Sequence, residues 1–84
     1  MSNTQDTSIE SYQSLDDIPK RQKDVLRAIK MLREPTNLEI SNFLGLPINS
    51  VTPRTNELVK KGLVVYSRRK LNPTGRPALA WRAV

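Results

Sequence analysis

Helix-stopping residues stand at Pro35, Gly45, Pro47 and Gly62, and they constrain the first three quarters of this chain more than any other feature. A proline lacks the N–H that a helix interior needs, and a glycine readily takes the left-handed conformation that ends a helix. The stretch they divide can form only short helices. Short helices hold in water only by packing an apolar stripe on one another. The pattern between the stops predicts three of them. Helix 1 is expected from about Pro19 to Arg33: Pro19 suits a first helical position, Asp16 and Asp17 suit the positive end of the dipole, and Val25, Leu26, Ile29 and Leu32 recur at helical spacing. Helix 2 opens on T36-N-L-E39, where Thr36 and Glu39 form a capping box. It takes Leu38, Ile40, Phe43 and Leu44 as its buried side and stops at Gly45. Helix 3 lies in INSVTPRTNELVKKG and ends at Lys60-Lys61-Gly62, lysines at the negative end of the dipole and glycine as the left-handed cap. Two short helices around a glycine turn, with Leu46 plugging the corner, make a helix-turn-helix.

After Gly62 the period changes. LVVYSRR is rich in β-branched and aromatic residues and reads as a strand, KLNPTGRP as a turn, and ALAWRAV as a second strand. The fold class is therefore mainly α with a small β-hairpin. Trp81, the one tryptophan, is expected in the core on a common face with Leu79 and Ala83, packed on helices 1 and 3; Tyr66 reads equally as core or surface. Residues 1–14, MSNTQDTSIESYQS, are polar and aperiodic. They read as a disordered acidic tail, with Ile9 and Tyr12 for transient contact, preceding a folded unit over 15–84.

The charges are segregated. Residues 1–19 hold Asp6, Glu10, Asp16 and Asp17 and no base, while residues 40–84 hold eight bases and only Glu57; the whole chain carries +6. A basic half behind an acidic tail points to a polyanion partner. Cysteine and histidine are absent. That removes disulfides and thiolate metal sites, the commonest general base, and the commonest transition-metal ligand. Acids are few and scattered, and no phosphate-cradling glycine loop is present, so neither an enzyme nor a cofactor, metal or small-molecule substrate is expected. No apolar run approaches a membrane span and the N-terminus shows no signal-peptide pattern. The expectation is a cytoplasmic protein, nucleoid-associated if bacterial or phage, without a membrane partner.

The order α-α-α-β-β resembles the winged helix-turn-helix domain of MarR-like regulators, of the small phage and plasmid type. The resemblance covers about residues 19–84. It rests on TNLEISNFLGLPINSVTPRTNELVKKGLV, a short helix, Gly-hydrophobic corner, polar third helix and KKGL exit, followed by the wing NPTGRPALAWR. It implies a double-stranded DNA partner and a transcription-regulating role, with helix 3 in the major groove and the wing on phosphate or in the minor groove. MarR-type proteins dimerise through extra terminal helices that this sequence lacks, so a monomer in isolation, or a dimer on DNA, is expected.

The residues themselves support that implication. On a helical wheel Val51, Thr55 and Leu58 fall on the buried side of helix 3, while Asn49, Thr52, Pro53, Asn56 and Lys60 fall opposite, with Ser50 and Arg54 on the flanks. Asn pairs bidentately with adenine, and Ser and Thr reach base edges or phosphates. Pro53 marks where the helix begins: Asn49 caps it with the proline as fourth residue, or Thr52 caps a helix starting at Pro53 itself. On the outer face the proline can also meet a thymine methyl or a sugar. The wing offers Arg68, Arg69, Lys70, Asn72, Thr74 and Arg76, with no acid from Leu58 to the C-terminus.

Two other readings follow different features. A protein-binding winged helix in a replication or transcription assembly requires an exposed apolar patch, which neither helix 3 nor the wing displays in sequence. The proline-containing wing GRPALAW also resembles that of Z-DNA-binding Zα domains. That family pairs its wing with an Asn and a Tyr on the third helix, where this chain has Thr52 and Asn56, and Pro77 and Trp81 match only at different spacing.

Overall fold

A computed structural model describes residues 18–84. The acidic tail over 1–14, and Asp16 and Asp17 before helix 1, lie outside the described residues. Three helices precede a two-stranded antiparallel sheet: α1 (Lys20–Leu32), α2 (Asn37–Leu44), α3 (Ile48–Lys60), β1 (Val64–Leu71) and β2 (Pro77–Ala83). This is a winged helix. Among the described residues no helix is long and apolar enough to cross a membrane.

The core is where the three helices and the base of the hairpin converge. Val25, Leu26, Ala28 and Ile29 of α1 meet Ile40 of α2, Val51 and Leu58 of α3, and Val64 of β1, with Ile18 closing the N-terminal side. The α1 stripe follows the helical period, and Leu32 at its end is only half-buried. On α2 the buried side is narrower than its apolar residues suggest. Ile40 and Ser41 are buried, Leu38 and Leu44 half-buried, and Phe43 is 48% exposed. Eight residues make about two turns, and α1 and α3 together cover only one flank of such a helix.

The local signals for the helix ends are met in three places and displaced in two. Thr36 and Glu39 form the capping box in both directions, Oγ1 accepting from the Glu39 N–H at 3.2 Å and the Glu39 carboxylate accepting from the Thr36 N–H at 2.9 Å. Gly45 is the left-handed cap of α2. Gly62, at φ +79°, follows α3 as the Leu63 N–H bonds the Leu58 carbonyl and the Gly62 N–H the Val59 carbonyl, both at 3.0 Å. That pairing of the last carbonyls requires a left-handed residue at Gly62. Pro19 stands one residue before α1, in the cap position, rather than as its first residue.

The larger displacement is at α3. Pro47 occupies its cap position and the helix begins at Ile48, so neither Asn49 nor Thr52 is the cap. Pro53 is therefore the sixth residue of an unbroken helix. It cannot donate to the Asn49 carbonyl four residues back. The helix persists because Val51, Thr55 and Leu58 are buried on its other side. Packing thus overrides the local preference of the proline to begin a helix.

Buried polar groups hold the helices in register. The Gln22 amide on α1 donates to Glu57 of α3 at 2.8 Å and its oxygen accepts from Lys61 at 2.7 Å. Thr55, wholly buried, donates to Asn37 of α2 at 2.8 Å. Ser41 donates to the Leu46 carbonyl, which fixes the corner between α2 and α3. The hairpin is tied on at its base by the Val84 N–H to the Leu63 carbonyl at 3.0 Å. Across β2, the Trp81 N–H bonds the Pro35 carbonyl at 2.9 Å. Thr36 bridges Ala80, so the segment before α2 acts as a short third edge of the sheet.

Candidate nucleic-acid interface

The outer side of α3 carries Asn49 and Asn56 exposed, Thr52 and Pro53 half-buried, and Lys60 exposed at the C-terminal end. Ser50 and Arg54 are half-buried on the flanks. Five of the seven helix residues singled out in sequence therefore lie on one side of α3, with Ser50 and Arg54 at its flank. Their neighbour Glu57 is not a free acid on that side. Its carboxylate takes two bonds from the Arg54 guanidinium, at 2.9 and 3.3 Å, and one from Gln22. The Arg54 bonds hold the Glu57 carboxyl below the usual carboxylate range. Arg54 is thus anchored along its own helix.

The wing bases divide in the same way. β1 carries a bulge at Ser67, where the pairing steps from Tyr66–Trp81 to Arg68–Ala80. The extra residue resets which side chains face which side. Arg68 and Lys70, two apart, turn back to the α1–α2 connection. Arg68 meets Glu34 at 2.7 Å, and Lys70 meets Glu39 at 3.0 Å and the Glu34 carbonyl at 2.9 Å. The Arg68 bond, aided by Ser67, holds the Glu34 carboxyl below the usual range. Arg69 between them, Arg76 at the tip and Lys60 on α3 are exposed and have no ion pair among the described residues. The tip is a tight turn in which the Asn72 N–H bonds the Arg76 carbonyl at 2.7 Å and the Gly75 N–H the Asn72 carbonyl at 2.8 Å. Gly75 sits at φ +88°, a conformation costly for any side chain, and so presents Thr74 and Arg76 to solvent.

Trp81 packs against the core as expected, on the side of Ala83 and the buried Val64, but it is only half-buried. The wholly buried residue of β2 is its neighbour Ala80, which pairs with Arg68. β2 is flanked by β1 on one edge and by the Pro35–Thr36 backbone on the other. Trp81 is half-buried at the margin of the core, edge-on to the exposed Tyr66 with ring centres 6.4 Å apart. Leu79, two residues before it, is 46% exposed. Together they wall a groove of about 330 Å³ between the wing and the start of α2 and α3, lined also by Asn37, Leu38, Ile48, Asn72 and Ala78. Asn72 Oδ1 and Trp81 Nε1 are buried without a partner among the described residues. This groove is the apolar patch that the sequence did not display. Its residues come from three elements, and only the alternation of Leu79 and Trp81 hinted that they share a side. Nor does the sequence reveal Glu34 and Glu39 as partners of the wing, since Glu34 and Arg68 are 34 residues apart.

No protein-family model matches the chain, and no curated protein matches it. A solved structure, "Multiple Antibiotic Resistance Repressor, MarR", superposes with a TM-score of 0.65 at 26% sequence identity. The match covers 96% of this chain and 56% of that one, so the chain spans little more than half the length of the repressor it resembles. The winged helix described above is of the MarR-like kind.

Proposed function

We propose that this MarR-like winged helix binds double-stranded DNA in a sequence-specific manner and regulates transcription, α3 entering the major groove and the wing lying along phosphate or the minor groove. The observation that carries the reading is the outer side of α3, with exposed Asn49 and Asn56, together with a wing whose Arg69 and Arg76 have no ion pair among the described residues. Exposed amides along the outer side of such a helix suit base edges, and free guanidinium groups suit phosphate. The protein acts in the cytoplasm as a regulator rather than an enzyme, as a monomer that binds singly or pairs on its site.

Selection of bound sites from a random duplex library tests this directly. One motif should be enriched, and its symmetry gives the stoichiometry. Recovery of no motif removes sequence specificity from the reading. On the selected site, alanine at Asn49, Thr52 or Asn56 should each cost about 1–3 kcal/mol, and much less on random duplex. Equal losses on both would assign these side chains to phosphate. Arg76→Ala should weaken binding most where A·T-rich flanks narrow the minor groove and deepen its negative potential. Its melting temperature should stay unchanged, because the exposed tip has no core to lose; a large fall would make Arg76 structural.

A protein-binding module is the second reading, and the groove walled by Leu38, Ile48, Leu79 and Trp81 is the observation that favours it. Duplex binding that is absent at low salt, with a protein complex that alanine at Leu79 abolishes, would establish it in place of the first.

A further inference from the structure

We propose that in the absence of DNA the groove between the wing and the α2–α3 corner is occupied by this chain's own N-terminal segment, residues Ile9 to Leu15, which DNA must displace. The displacement rests on the DNA-binding reading; the docking does not.

The groove asks for an unusual combination. Its walls are apolar, from Leu38, Ile48, Ala78, Leu79 and Trp81, with the amides Asn37 and Asn72 beside them. A DNA backbone brings acceptors only, with a charge that apolar walls do not favour. A peptide brings one donor and one acceptor at every residue, beside side chains that can fill the space. The N-terminal segment has the apolar residues at short intervals, Ile9, Tyr12 and Leu15.

Charge directs that segment rather than a foreign one. Residues 1–17 carry Asp6, Glu10, Asp16 and Asp17 and no base, whereas residues 18–84 carry fourteen bases and four acids. All four of those acids are already ion-paired: Asp24 with Lys20, Glu34 with Arg68, Glu39 with Lys70, and Glu57 with Arg54. The cations left over, Lys60, Arg69 and Arg76 among them, flank the same surface that α3 and the wing present. The segment is also tethered within reach. Gln22, in the first turn of α1, bonds Glu57 and Lys61, so the start of α1 lies beside the C-terminal half of α3. The groove is at the other end of α3, at Ile48. Nine helical residues separate Glu57 from Ile48, about 14 Å at the helical rise. An extended chain covers that distance in about four or five residues, so Tyr12 and Ile9, six and nine residues before Ile18, arrive with slack.

Trp81 is the only tryptophan and lines the groove, so its emission reports occupancy without any DNA present. The test compares acrylamide quenching in the full chain with that in two full-length variants, Ile9→Ser/Tyr12→Ser and Asp6→Asn/Glu10→Gln/Asp16→Asn/Asp17→Asn. If the segment covers the groove for half the time or more, both variants should raise the quenching constant about twofold, and both should bind random duplex about two- to tenfold tighter. Unchanged quenching overturns the docking and leaves the groove to a foreign peptide. Quenching that falls with protein concentration overturns the intramolecular assignment in favour of a second copy's segment. Raised quenching with unaltered duplex affinity overturns the competition. Raised quenching in a protein that binds no duplex at low salt supports the docking and removes the DNA-binding reading instead.

Discussion

Raising the salt from 50 to 200 mM should cut the affinity of this protein for duplex DNA by two to three orders of magnitude. Six side chains are candidates for phosphate: Arg54, Lys60, Arg68, Arg69, Lys70 and Arg76. Each phosphate neutralised releases condensed counterions, so four to six contacts give a slope of log K against log salt of roughly −4 to −5. The ion pairs of the folded protein sharpen this expectation. Arg54, Lys70 and Arg68 are held by Glu57, Glu39 and Glu34, while Lys60, Arg69 and Arg76 have no ion pair among the described residues. If the three held side chains keep their partners, only about three contacts remain and the slope flattens to roughly −3. A titration therefore reports whether the internal pairs open on DNA. Glu34→Gln and Glu39→Gln should steepen a flat slope by releasing Arg68 and Lys70. A complex indifferent to salt would sink the DNA reading altogether.

The second large effect is on stability. Ile29→Ala should lower the melting temperature by tens of degrees and leave much of the protein unfolded near 37 °C. Ile29 is wholly enclosed at the centre of the α1 stripe, where all three helices and the hairpin base meet. Removing three carbons from such a site costs about 2–5 kcal/mol, partly for lost burial and partly for the cavity left behind. A domain this small has only a few kcal/mol in reserve, toward the bottom of the usual range of about 5–15. For about 60–100 residues each kcal/mol moves the midpoint by roughly 4–8 °C. A thermal melt followed by circular dichroism measures it. A shift of only a few degrees would mean that the core collapses around the gap, or that Ile29 is not at its centre. Trp81→Ala should cost less than a fully buried aromatic, because part of its ring already faces the groove.

The helices, their order and the hairpin were legible in the sequence because each is announced by neighbours within a few residues. Thr36 and Glu39 form a capping box across three positions. Gly62 ends α3 through bonds that reach back only five residues. Val51, Thr55 and Leu58 lie on one side of α3 as a matter of the helical period alone. The segregation of charge is likewise a property of the sequence, and so is the polar outer side of α3. What tertiary structure decided depends on residues far apart along the chain. Pro53 alone suggests a helix starting near it, yet α3 begins at Ile48 because the burial of its opposite side outweighs one missing hydrogen bond. Six bases looked equally free, yet Arg68 and Lys70 are paired because the bulge at Ser67 turns them toward Glu34 and Glu39. Alternation places Trp81 with Leu79 but does not say whether that side meets core or solvent. Packing decides it residue by residue: Trp81 lies half-buried against the core, Leu79 is left exposed, and both wall a groove. Local periodicity assigns a residue to a side; only packing determines what that side meets.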